Sequence, residues 1–228
     1  MDIFTEIITR FYKSPMTFIQ LITLVVVLFK VKKFKNSVEA CFIYLFAYAV
    51  FNEFAATYYG LYLFSEVTPN NIFYNVYGFV SFLVLFYIYH QKINSQLFRK
   101  LIVLSVVIYI VLILFEVVYK ELNYLRNSQV VPFVFAGIMI LVCILFYFYE
   151  VFISERVIHL DRTMIFWVSI GFFLYYLTII PFKIDQNFYA TDKRYRFLFE
   201  LSQIRAVIFN VSFLIGVLWS RPNREETL

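Results

Sequence analysis

The sequence predicts an all-α integral membrane protein, a bundle of seven transmembrane helices joined by short loops. Three observations predict it. Hydrophobic residues make up 62% of the 228 and charged ones 15%, with a mean hydropathy of +0.77. A soluble domain carries about 45–50% apolar and about 25% charged residues. Apolar runs of the roughly 17–25 residues needed to cross a bilayer recur along the chain. Gly and Pro number only five each, so few of those runs are interrupted.

Before the first run, residues 1–14 place Ile3, Phe4, Ile7, Ile8 and Phe11 on one helical face and Asp2, Glu6, Arg10 and Lys13 on another, the pattern of an interfacial amphipathic helix. No small-residue cleavage site follows, so no cleavable leader is expected. The spans are expected at residues 15–31, 38–59, 71–90, 101–119, 132–153, 164–182 and 199–220. Ser14-Pro15 is a cap and first-turn pair for the first. Pro181 is expected to end the sixth. The transmembrane domain is thus residues 15–220, followed by a cytoplasmic tail at 221–228.

Orientation follows from Lys and Arg in the connections. With the N-terminus outside, 11 fall inside and 8 outside, and Arg205 completes the 20. The first two loops set the sign. Lys30, Lys32, Lys33 and Lys35 flank the first, and the second, residues 60–70, has none. The expected location is the cell inner membrane, multi-pass, N-terminus outside and C-terminus cytoplasmic.

Polar residues within spans are costly and face the bundle interior. Depth can be counted at about 1.5 Å per residue. Glu53 lies about 9 Å below the outer end of its span, Asn75 about 6 Å and Arg205 about 9 Å. Asn52, Glu116, Tyr175 and Tyr176 fall in the same outer third. Asn52, Glu53, Asn75, Tyr175, Tyr176 and Arg205 are therefore the candidate ligand-binding residues. Arg205 is the expected charge partner of Glu53. Such a pair serves either as a structural staple or as the centre of a ligand or proton site; a third reading lets Arg205 snorkel outward. The stripe Asn71, Tyr74, Asn75, Gly78, Ser81 occupies one face of the third span. Stripes of small and polar residues also pack membrane helices together. Glu39 and Glu150 fall near inner helix ends, within reach of Lys32, Lys33, Arg156 or solvent. Phe and Tyr are abundant, 30 and 19. They fit either a stacking surface or a genome biased toward their codons.

Several chemistries lack their residues. No HExxH, clustered His or carboxylate run offers a metal site, and no GxSxG, SxxK or phosphate-binding Gly loop appears. No catalytic residue, metal or cofactor is therefore assigned, and no nucleic-acid partner is expected. Residues 199–220 contain no Lys for a retinal linkage. Cys41 and Cys143 sit in separate apolar runs, as buried free thiols do.

The segments YLFAYAVFNEFAATYYG, NNIFYNVYGFVSFLVLFYIYH, MIFWVSIGFFLYYLTIIPF and IRAVIFNVSFLIGVLW resemble a group of small seven-helix membrane proteins of Bacteroidota encoded beside two-component signalling genes. More distantly, the chain resembles seven-helix sensor modules fused to histidine kinases, without an attached kinase. The resemblance implies a sensory or accessory module that binds a small or lipidic ligand in the outer third of the bundle. It would signal through a partner such as a histidine kinase. Two other classes remain open: a membrane-embedded enzyme acting on a lipid or isoprenoid with Glu53 as general acid, and a small-solute transporter. A closed-bottom pocket favours sensing, a lateral slot an enzyme, and a path past Asn210 transport.

Overall fold

The computed structural model describes residues 15–35, 37–59, 71–120, 123, 127–154, 160–184 and 196–220, with side chains omitted at 15–16 and 196–203. The interfacial segment expected at residues 1–14 and the tail at 221–228 lie outside them. Among the described residues the protein is helical throughout, with no strand. Seven helices follow in order: α1 Pro15–Phe34, α2 Ala40–Tyr58, α3 Asn71–Lys92, α4 Gln96–Leu114, α5 Val131–Phe152, α6 Met164–Ile184 and α7 Arg196–Trp219. By length and composition α2 to α6 are able to cross a membrane, and α7 contains a shorter apolar stretch, Ile204–Trp219.

The largest departures from the expected boundaries are at α4 and α6. The fourth helix begins at Gln96, five residues before the apolar run at Leu101. Its first turn is supported from outside, because the Glu150 carboxylate accepts hydrogen bonds from the backbone N–H groups of Asn94 (2.7 Å) and Ser95 (2.9 Å). Glu150 thus caps a neighbouring helix, and among the described residues it meets no Lys or Arg; Arg156 lies outside them. Its counterpart Glu39 lies 4.0 Å from Lys92, a cation the sequence had not singled out. Beyond Leu114 the helix widens into a π-turn, Phe115–Tyr119. The sixth helix continues past Pro181 to Ile184. A proline this close to a C-terminus removes few intrahelical bonds, so it does not stop the last turn.

The helices pack as a ring with one outlier. Neighbouring contacts run α1–α2–α3–α5–α6–α7 and close from α7 back to α1, while α4 packs outside against α3 and α5. Leu97, Val103, Leu104, Val107, Val111 and Leu114 of α4 are exposed. The tightest seam is α6–α7. A Cβ on Gly171 would lie 3.1 Å from the Ser212 Cβ, and one on Gly216 would lie 3.2 Å from the Met164 carbonyl oxygen. These small residues let two backbones approach closely. At the end where α1 and α7 finish, Lys33 Nζ donates to the Val217 carbonyl (3.0 Å). That is called the lower end here, and the end where α2 finishes and α3 begins the upper.

Candidate functional site

A cavity of about 270 Å³ lies within the ring, in its upper half. All seven helices contribute to its wall. Its polar residues are Gln20 of α1, Asn52 and Glu53 of α2, Tyr74, Asn75, Tyr77 and Ser81 of α3, Tyr109 of α4, Tyr175, Tyr176 and Lys183 of α6, and Asn210 of α7. Ser128 and Gln129, from the connection before α5, close one side. Along α2 the wall runs from Glu53 down to Phe42, eleven residues or about 16 Å. The cavity therefore reaches well below the outer third in which the polar residues had been placed.

Of the six residues singled out from the sequence, Asn52, Glu53, Asn75, Tyr175 and Tyr176 line this one cavity. Arg205 stands behind its wall, with its guanidinium 5.0 Å from the centre of the Tyr175 ring. No ion pair joins Glu53 to Arg205 among the described residues. Glu53 instead accepts a hydrogen bond from Tyr74, and Tyr175 lies close enough to both charges to feel each. The direct pair expected from matching depths is corrected on this point. Equal depth does not set the direction in which a side chain leaves its helix, and the Tyr175 ring takes the cation.

Asn75 has a structural task. Its Nδ2 donates to the Asn127 carbonyl (2.9 Å), and its Oδ1 accepts from the Gln129 N–H (3.3 Å). It thereby fixes the connection that carries Gln129 into the wall. Glu116, expected in the same polar layer, accepts from the Val131 N–H (3.3 Å) at the start of α5 and is not part of the wall.

Aromatic rings sheathe the cavity. Tyr176 is stacked on Phe82 (5.6 Å) and on Phe172 (6.0 Å), and meets Tyr175 edge to face (5.4 Å). The floor is made by Phe42 against Phe172 (6.1 Å) and Phe46 stacked on Phe213 (4.7 Å). Beneath it the bundle is filled by buried Phe86, Tyr89, Ile140, Ile144 and Val168, and the Tyr89 hydroxyl is hydrogen-bonded to Ser169 Oγ (2.8 Å).

Sequence reasoning missed two wall residues. Lys183 had been counted as a loop charge, yet its Nζ lies 5.5 Å from the centre of the Phe133 ring at the upper rim. Gln129 lies in a connection, where no periodicity marks it. Among the described residues two wall side chains carry a buried polar atom without a hydrogen-bond partner, Gln129 Nε2 and Asn210 Oδ1. Among the described residues no cluster of His, Cys, Asp or Glu has the makings of a metal site.

Comparison with protein-family models, curated proteins and solved structures found no match.

Proposed function

We propose that the chain is a seven-span sensory or accessory module of the inner membrane, N-terminus outside and C-terminus cytoplasmic. It binds a small or lipidic ligand in the cavity and passes the occupied state to a partner protein such as a histidine kinase. The observation that carries this reading is the closed floor. The described lining reaches down to Phe42, Phe46, Phe172 and Phe213, and below these the bundle is filled by large buried side chains. A receptor needs a blind site, whereas a transporter needs a path onward past Asn210. A lipid-modifying enzyme gains less support. Among the described residues Glu53 is the one carboxylate on the wall, and it is held by Tyr74.

Cysteine accessibility tests the reading in a background where Cys41 and Cys143 are replaced. An impermeant thiol reagent is expected to label Ser65→Cys and Gly78→Cys from outside, Asn36→Cys from inside only, and Ser169→Cys from neither side. Labelling of Ser169→Cys from the inside would open the floor and favour transport. Extracts of protein purified from native membranes should release a small molecule that Gly78→Trp protein lacks, and identical extracts would defeat the binding reading.

A further inference from the structure

The cavity has a neighbour on the outside of the ring. A groove holding about 420 Å³ follows the seam between α2 and α3, lined among others by Tyr44, Leu45 and Tyr48 of α2 and Val80, Leu83 and Tyr87 of α3. Tyr44 and Tyr87 are exposed, so the groove faces away from the bundle axis. Along α2 it runs from Cys41 to Tyr48, about 10 Å, in the half of the helix nearer the lower end. Both helices are long and apolar enough to cross a membrane, so the groove meets the hydrocarbon of the bilayer.

Groove and cavity are separated by one layer of side chains. Leu45 borders both. Beside it Tyr48, on the groove, and Tyr77, on the cavity, meet across the seam with ring centres 5.6 Å apart. Ser81, on the cavity side, donates its hydroxyl to the Tyr77 carbonyl of its own helix rather than across the seam. The α6–α7 seam is closed differently. There a Cβ on Gly216 would lie 3.2 Å from the Met164 carbonyl oxygen, so main chain itself blocks any passage. At the level of Leu45 the α2–α3 barrier is made of side chains, and these can turn. Gly78 follows Tyr77 along α3, and a Cβ there would meet nothing within 4 Å, which leaves room for such a turn. The cavity lining at the depth of Leu45 includes Phe42, Phe46, Phe172 and Phe213. An apolar chain that crosses the seam therefore exchanges one apolar surrounding for another and strands no polar group.

We propose that the cavity is loaded sideways from the bilayer: one acyl chain of a membrane lipid seats in the α2–α3 groove and enters the cavity when Leu45 and the Tyr48–Tyr77 pair part. The occupant is then a lipid chain and not a solute arriving from water. A cavity of about 270 Å³ is smaller than a typical drug-sized site, about 300–1,000 Å³, so a whole two-chain lipid does not fit and the remainder stays outside the ring. The seam is shut in the structure, unlike the standing slot of an enzyme that turns lipid over. Entry shifts α2 against α3, which gives a sensor a motion to pass on. The proposal rests on reading the cavity as a ligand site.

Photo-crosslinking in nanodiscs tests it. The protein is reconstituted with phosphatidylcholine carrying a diazirine near the end of one acyl chain, irradiated, and mapped by mass spectrometry. Adducts are expected on Tyr44 and Leu83 in the groove and on Tyr175 and Phe209, which line the cavity from α6 and α7. Leu45→Trp thickens the partition and should lose the adducts on Tyr175 and Phe209 while keeping those on Tyr44 and Leu83. Leu83→Trp fills the groove from its lipid side and should lose the adducts on Tyr44, Tyr175 and Phe209 together; it decides the matter if the buried Leu45 does not tolerate Trp. Cavity adducts that persist in the folded variants mean entry by another path, which overturns the proposal and leaves the ligand-site reading standing. Groove adducts without cavity adducts in the unaltered protein overturn it as well, as does a groove without adducts. In either case the extracts of unaltered and Gly78→Trp protein report separately on whether the cavity binds anything at all.

Discussion

The two halves of the bundle are built from the same aromatic and branched residues, yet one is hollow and the other filled. In the lower half, large side chains meet across the axis, and Phe34, Ile43, Phe86, Tyr89 and Ile144 are fully buried. In the upper half the residues facing the axis are smaller at decisive places: Ala49, Gly78, Ser81 and Ala206. The glycines make the contrast sharpest. Gly137, Gly171 and Gly216 are crowded, each because another helix leans on it, whereas a Cβ on Gly78 would meet nothing within 4 Å. Composition therefore does not decide which half holds a cavity. The placement of a few small side chains does.

The largest expected effect separates two isoleucines. Ile144→Ala removes side-chain volume from the filled half and should cost about 2–5 kcal/mol of unfolding free energy in mild detergent. Ile179→Ala, on a wall that already borders empty space, should fall at or below the lower end of that range. Equal costs would mean that the upper half is as filled as the lower. Next come the glycines. Gly171→Ala and Gly216→Ala should each lose about 1–3 kcal/mol by overpacking the α6–α7 seam. Gly78→Ala should gain up to about 1 kcal/mol through helix propensity alone. A loss at Gly78 would show that something packs there after all. The smallest effect concerns charge. A double-mutant cycle on Glu53→Gln and Arg205→Met should give a coupling below about 0.5 kcal/mol, because the two do not touch. The cycle on Tyr175→Leu and Arg205→Met should give about 0.5–2 kcal/mol, the range of a cation on a ring. The reverse order would restore the direct ion pair.

Much of this architecture was legible in the residues. Apolar runs located every described helix, with errors of five residues or fewer at the ends, the largest at the start of α4, which a distant carboxylate supports. Counting depth from helix ends brought Asn52, Glu53, Asn75, Tyr175 and Tyr176 to one level, and the structure puts them on one wall. Depth, however, is one coordinate of three. Which way Arg205 turns depends on how α7 is rotated against α6, and that rotation is set by Gly171 and Gly216, whose packing role no one-dimensional pattern reveals. Gln129 was invisible for another reason. It enters the wall through two hydrogen bonds between its connection and Asn75, and connections carry no period. The peripheral seat of α4 could have been suspected, since it is the most apolar of the five long spans and the least buried.

The carboxylates of Glu150 and Glu116 tie the peripheral helix to the ring. Glu150, near the end of α5, caps the start of α4, and Glu116, near the end of α4, meets the first N–H of α5. Each helix supplies the cap that the other lacks. The amides of Asn94 and Ser95, just before α4, thus find their acceptor some fifty residues further along the chain. The peripheral helix is thereby latched at both ends to α5, a member of the ring.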